Sequence, residues 1–277
     1  TPNPDILCNN LVKFDLFLKK ALAYGFDYIA TGHYARISSV TSSETRSIGN
    51  IEQNNSYTSR PSSSKQEYQL LRIDHNKDQS YFLSGLNQYQ LSKSLFPVGE
   101  LTKPEVRAIA EKILPNADRK DSQGLCFIGN IPMRDFLKNK LPVQKGDIIL
   151  DHTKKVGEHD GAWFWTVQSR GLDLNIKAYV TSIDVKNNVV HVSHERNDPQ
   201  LLQDQAVCHS WHWIGDEKLE SKNITVKIRY RQDPPVAANL VPVNNSMIVQ
   251  FAQAQWIAPG QSIVAYDDEI CLGGVIV

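Results

Sequence analysis

The chain has 277 residues, 41% of them hydrophobic and 22% charged, a globular composition at a length that fits roughly two domains. Lysine plus arginine equals aspartate plus glutamate at 30 each, so net charge names no partner and a nucleic-acid site must be a local patch. No apolar run reaches the ~18 residues of a bilayer-spanning helix. The four cysteines, Cys8, Cys126, Cys208 and Cys271, form no CxxC pair, which excludes a disulfide scaffold and a zinc pattern and points to a reducing compartment.

The chain opens on "TPNPDILCNNLVKF", with no leading strand. Residues 9–24 are expected to form a helix. Leu11, Phe14, Leu18 and Ala21/Leu22 recur at steps of three and four, which aligns them on one face. Asn9 or Asn10 suits the start and Gly25 the left-handed stop. Tyr28–Ala30 reads as a buried strand, followed by the turn Thr31-Gly32-His33. Helix, strand and glycine turn make half of an α/β unit, whose ligands sit at the carboxyl ends of strands. The earlier strands of such a sheet are expected outside this sequence, as if the chain were cut from something longer.

Residues 38–66 hold ten serines and few apolar residues, the composition of a mobile surface insertion. "EYQLLRI" then reads as a strand. "ELTKPEVRAIAEKILP" is a marked helix: Thr102 and Glu105 fit a capping box and Pro104 the first turn. Its expected buried stripe is Val106, Ile109, Ala110 and Ile113. The loop "RKDSQGLCFIGN" leads to a short helix around Met133–Leu137. From about Val143 the period falls to two. "AYVTSIDV", "NVVHVSHE", "ITVKIRYR", "MIVQFA", "SIVAYD" and "ICLGGVIV" are short runs divided by turns, the pattern of a β-barrel or sandwich. The expected architecture is a partial α/β, Rossmann-like nucleotide-binding domain (1–92), a small central helical module (93–142) and a C-terminal all-β barrel (143–277).

Several positions carry chemistry. Cys8 is placed just ahead of a helix, where the positive dipole end favours a thiolate. Asp5 lies three residues earlier, within reach for proton transfer. A small core cysteine is the bland alternative, which the polar neighbours Asn3, Asp5, Asn9 and Asn10 weaken. Cys126 is bracketed by Gly124 and Gly129, a loop where backbone can approach a substrate closely, although the following Phe-Ile equally suits a cysteine of the core. His33 reads equally as a ligand or a structural hydrogen-bonder. Lys77, Asp78, Gln79 and Ser80 cluster before an apolar pair. Arg229, Tyr230 and Arg231 combine cations with an aromatic, which suits phosphate contact and base stacking as well as an exposed barrel face. Residues 134–155 hold six lysines and arginines against three aspartates.

Together these stretches resemble the tRNA-specific 2-thiouridylase family. "TPNPDILCN", "ATGHYARI", "KDQSYFL", "FPVGELTKPEVR", "DSQGLCFIG", "VKIRYRQ" and "APGQSIVAY…CLGG" match it in order, from residue 1 to the C-terminus. The resemblance implies ATP-dependent sulfur transfer to C2 of a wobble uridine in tRNA, expected in lysine, glutamate and glutamine acceptors. ATP, with magnesium as its expected counter-ion, adenylates the C2 oxygen. A persulfide supplied by an upstream sulfur carrier or cysteine desulfurase provides the sulfur. By motif match Cys126 carries the persulfide, Cys8 attacks it to leave a disulfide, and Asp5 is the acid/base group. Asn3, Pro4 and Asp5 match positions against the target base. His33, Lys77, Asp78, Gln79, Arg229, Tyr230 and Gln261 match tRNA contacts, and Gly32 a nucleotide contact.

The sequence departs from the family in three places. It has no Gly/Ser-rich pyrophosphate loop, so this chain alone is expected not to activate uridine. "WTVQSRGL" is one residue shorter than the family's run, which puts its tRNA contact in question. The Ser-rich segment favours a mitochondrial member over a bacterial one. A non-catalytic tRNA-binding fragment and a thiol-redox or metal protein are the competing readings.

Overall fold

The computed structural model describes residues 3–42, 65–73, 77–117, 131–170, 172, 174–195, 201–215 and 224–277. The loop around Cys126 and the centre of the Ser-rich segment, residues 43–64, lie outside the described residues.

One helical run opens the chain in three stretches, Pro4–Leu7, Cys8–Phe17 and Leu18–Ala23. Asn3 is its cap. The Asn3 side chain accepts the Asp5 N–H at 3.0 Å, and Pro4 takes the first turn, where no N–H is needed. The cap therefore lies six residues before Asn9, the earliest start read from sequence. Cys8–Phe17 is wound more widely, as a π-helix of ten residues, a form that is rare and otherwise seen mostly as single-turn bulges. Wider winding shifts the buried face: Ile6, Phe14 and Leu18 are buried, whereas Leu11 is 58% exposed. A second apolar stripe of Leu7, Leu11, Val12, Leu16 and Phe17 faces outward. The helix is thus apolar on both sides, the pattern of a helix packed on both faces.

Strands β1 (Ile29–Ala30) and β4 (Ser94–Leu95) form a two-stranded parallel sheet. β2 (Arg36–Ser42) and β3 (Lys65–Leu71) pair as an antiparallel hairpin, from Arg36 opposite Leu71 to Ser42 opposite Lys65. This corrects the expectation for 38–66, because both ends of the Ser-rich segment are strand. The β-branched Ile37 and Val40 suit a strand once a partner supplies the hydrogen bonds.

The helix Lys103–Ile113 carries the expected capping box, with Thr102 N–H to Glu105 Oε2 at 2.7 Å. Its expected buried stripe is not found. None of its residues is buried, and Ile113 is 70% exposed. Just ahead of this helix, Gly99 lets the backbone pass Ala35, since a Cβ there would collide with the Ala35 carbonyl oxygen. The short helix Met133–Lys138 forms as expected.

The middle of the chain is a four-stranded sheet in the order β6 (Lys154–His159), β5 (Gly146–Leu150), β8 (Val189–Ser193) and β7 (Tyr179–Asp184). The C-terminal part contains β9 (Leu202–His209), β10 (His212–Trp213), β11 (Ile224–Lys227), β12 (Val236–Val243), β13 (Ser246–Trp256), β14 (Ser262–Asp267) and β15 (Ile270–Ile276). Among the described residues the order is β2-β3-β15-β14-β11-β12-β13-β9, with β10 beside β15. β9 comes back against β15, which curls the last six strands of that order around a core of Val226, Val249, Ile263 and their neighbours. The β2–β3 hairpin extends this sheet through Leu70 opposite Cys271. One core therefore spans both ends of the chain: Phe14, Leu70, Tyr81 and Leu86 pack with Val264, Tyr266 and Cys271. No described helix is long and apolar enough to cross a membrane.

Candidate functional site

Four motifs far apart in sequence meet where the first helix touches the barrel. The Asn3 N–H donates to the Gly260 carbonyl at 3.0 Å, which joins "TPNPD" to "APGQS". Tyr81 joins "KDQSYF" to the same loop: its hydroxyl donates to the Ser262 carbonyl at 2.8 Å and accepts the Ser262 N–H at 3.2 Å. Burial pushes the Tyr81 phenol up to about 12, so the group stays neutral at working pH. Asn9 Nδ2 donates to the Phe82 carbonyl at 3.0 Å. Phe82 and Tyr230 bring their ring centroids to 4.3 Å, which joins "KDQSYF" to "RYRQ".

Cys8 is half-buried with a free thiol. It lies inside the helical run, and its N–H bonds the carbonyls of Pro4 and Asp5. The placement ahead of a helix is thereby corrected, and the dipole argument built on it does not carry over. Asp5 sits one turn away, half-buried. Burial raises its carboxyl above the ordinary 3.8, and the Lys13 charge partly offsets this. A raised carboxyl holds a proton closer to neutrality, as an acid/base group requires. Asn3 and Pro4 frame it at the helix start.

Two residues matched to RNA contact turn inward instead. Asp78 is 5% exposed. It accepts from Lys227 Nζ at 3.3 Å, the Ser80 N–H at 3.1 Å and the Ser80 hydroxyl at 3.1 Å. A buried carboxylate needs such partners, and they occupy it. His33 is 7% exposed, bonded through Nδ1 to Thr31 Oγ1 at 2.8 Å and set among Phe14 and Phe96 rings. Burial first and the Lys13 charge second lower its pKa to about 4. Both side chains hold neighbours in place.

The other matched residues lie nearer the surface. Lys77 is exposed and Gln79 half-buried; the Gln79 Oε1 accepts the Tyr34 N–H at 3.0 Å. Arg229 and Tyr230 are half-buried and Arg231 is exposed. Gln261 is half-buried beside the C-terminal residue, where its carbonyl accepts the Val277 N–H at 2.9 Å. Gly32 lies near the surface, with nothing within 4 Å of where a Cβ would stand. Cys126 lies outside the described residues.

Sequence reasoning missed four residues. Lys227 reads as one more barrel position, Tyr81 and Phe82 as a plain apolar pair, and Gln168 as part of a shortened loop. Gln168 Oε1 accepts from an Arg229 guanidinium nitrogen at 2.8 Å, so the short "WTVQSRGL" loop does reach the "RYRQ" motif. The apolar pair "YF" is the one available signal, because an aromatic beside a polar motif often has a polar or stacking task.

The His33 geometry sets a pH dependence. The folded chain favours the neutral ring, so its contribution is complete above the unfolded pKa of 6.5 and disappears as pH falls toward 4. Denaturant melts should show ~3 kcal/mol less stability from this group at pH 4 than at pH 7. His33→Gln should flatten that part of the curve.

Comparison with known proteins follows the same geography. Residues 1–130 match the tRNA methyl transferase HUP domain, 134–194 the tRNA methyl transferase PRC-barrel domain and 203–277 the aminomethyltransferase beta-barrel domain. Proteins named tRNA-specific 2-thiouridylase MnmA are similar along the whole chain. The Bordetella petrii protein is 39% identical over 293 residues, covering 100% of this chain and 73% of its own length. The Ralstonia nicotianae protein is 42% identical over 289 residues, covering 100% and 72%. The Bordetella avium protein is 41% identical, covering 100% and 74%. By this likeness the chain belongs to the tRNA-specific 2-thiouridylase family.

Proposed function

We propose that this chain carries the RNA-holding and sulfur-transferring part of a tRNA 2-thiouridylase. The observation that supports it most is the meeting of Asn3 with Gly260, of Asn9 with Phe82 and of Phe82 with Tyr230, which joins the motifs of Asp5, Cys8, Arg229 and Gln261 at one junction. Cys126 carries a persulfide. The Cys8 thiolate attacks the sulfur bonded to the Cys126 Cβ, and the terminal sulfur leaves with the electron pair. That sulfur bonds C2 of a wobble uridine already activated at its C2 oxygen, and the activated oxygen departs. The two cysteines end as a disulfide, which a thiol reductant later reopens. Asp5 takes or gives the accompanying proton. The sulfur reaches Cys126 from a carrier protein or cysteine desulfurase.

ATP does not fit this chain's residues alone. Gly32 is exposed, with nothing within 4 Å of where a Cβ would stand, and the sequence has no Gly/Ser-rich loop to cradle pyrophosphate. Among the described residues there is no cluster of three or more His, Cys, Asp or Glu for a metal. These residues therefore do not account for the activation of uridine. The scattered cysteines favour a reducing compartment. The Ser-rich segment is the only support for an organelle, and the relatives compared are bacterial.

The test is a pair of assays on the chain. It should bind tRNA bearing an unmodified wobble uridine, with affinity falling steeply as salt rises. Cys126→Ser should bind equally well. No 2-thiouridine should form with ATP and a sulfide source. Absence of tRNA binding contradicts the first claim, and ATP-dependent thiolation contradicts the second.

A further inference from the structure

We propose that Phe82 and Tyr230 form an aromatic step that stacks an unpaired RNA base beside Cys8; this rests on the RNA reading above. Ser80–Leu83 is one tight helical turn. It sends Tyr81 and Leu83 fully inward and leaves Phe82 between them half-buried. The Phe82 ring meets Tyr81 edge-on at 5.5 Å and lies tilted by 38° against Tyr230 at 4.3 Å. Both rings pack against the core on one side and stay half open on the other. Arg229, anchored by Gln168, and the exposed Arg231 stand on either side of Tyr230 in the sequence. Half-open aromatics next to arginines are how proteins hold unpaired bases, since every base has a π-face and phosphates accept the guanidinium bonds.

The step is also fixed relative to the reactive thiol. The Phe82 carbonyl accepts from Asn9 Nδ2 at 3.0 Å, and Asn9, 2% exposed, follows Cys8 directly. A base resting on the step is thereby held in register with the helix that carries the thiol. Stacking reads no particular base, so the step supplies grip and placement.

The test uses the whole chain and a short RNA stem–loop with 2-aminopurine next to the wobble uridine. Binding to the wild-type chain should quench the fluorophore. Phe82→Leu keeps apolar packing but removes the π-face; quenching should vanish and Kd should weaken about tenfold, about 1.4 kcal/mol. Phe82→Trp should keep the quench. Equal quenching and affinity in Phe82→Leu overturns the step and leaves RNA binding standing. A wild-type chain that fails to bind the stem–loop overturns both. Should Phe82→Leu not melt cooperatively, Phe82→Trp decides: a folded variant that binds without quenching overturns the step.

Discussion

Lys227→Met should lower unfolding free energy by about 3–5 kcal/mol, the usual effect of removing one partner from a buried ion pair. Lys227 and Asp78 have side chains only 6% and 4% exposed. Removing the ammonium leaves a carboxylate in the interior with the N–H and hydroxyl of Ser80 as its remaining donors. The pair joins segments far apart in the chain and sits within two residues of both motifs proposed to hold RNA. Lys77 and Gln79 flank Asp78, and Arg229 lies two residues beyond Lys227. Breaking it should splay both loops, so RNA affinity should drop with stability. Lys227→Met/Asp78→Leu should be less destabilised than the sum of its single variants, with a coupling of about 0.5–3 kcal/mol in denaturant melts. Additive single effects would show that the two groups do not act as a pair.

Tyr81→Ala should be comparably severe, about 3–5 kcal/mol, since it empties a site where the ring is fully buried. Tyr81→Phe separates the hydroxyl from the ring. It leaves both backbone groups of Ser262 without the phenol at a position 2% exposed, and each orphaned group costs about 1–3 kcal/mol. The hydroxyl ties the "KDQSYF" turn to the loop of Gly260 and Gln261. Tyr81→Phe should therefore weaken RNA binding even at temperatures where the chain stays folded. Unchanged stability in Tyr81→Phe would mean that water replaces the phenol.

The β-rich half is legible in the sequence because period-two patterning survives any tertiary arrangement. β7, β8, β11, β13, β14 and β15 fall on runs that alternate. β9 and β12 escape that reading: "LQDQAVCH" and "VAANLVPV" carry too many polar or helix-favouring residues, and pairing makes them strands, β9 with β13 and β12 with both β11 and β13. The Thr102–Glu105 cap is legible because it is local. The helix start is misplaced because Asn3-Pro4 looks like a turn, and the 3.6-residue period assumed for Leu11 fails in a wider winding. The inward turn of Asp78 is not legible: its partner lies in a barrel strand, and no local pattern marks it. The candidate residues come from motif order, and the meeting of the motifs around Asn3, Phe82, Tyr230 and Gly260 comes from the fold.

The most direct measurement is peptide mapping of the whole chain after mild thiol oxidation, with and without tRNA. A Cys8–Cys126 bridge should form, while Cys208 and Cys271, each 1% exposed, remain reduced. If Cys8 and Cys126 stay unlinked to each other under both conditions while remaining open to alkylation, the sulfur held on one cannot be passed beside the other, and the account is wrong.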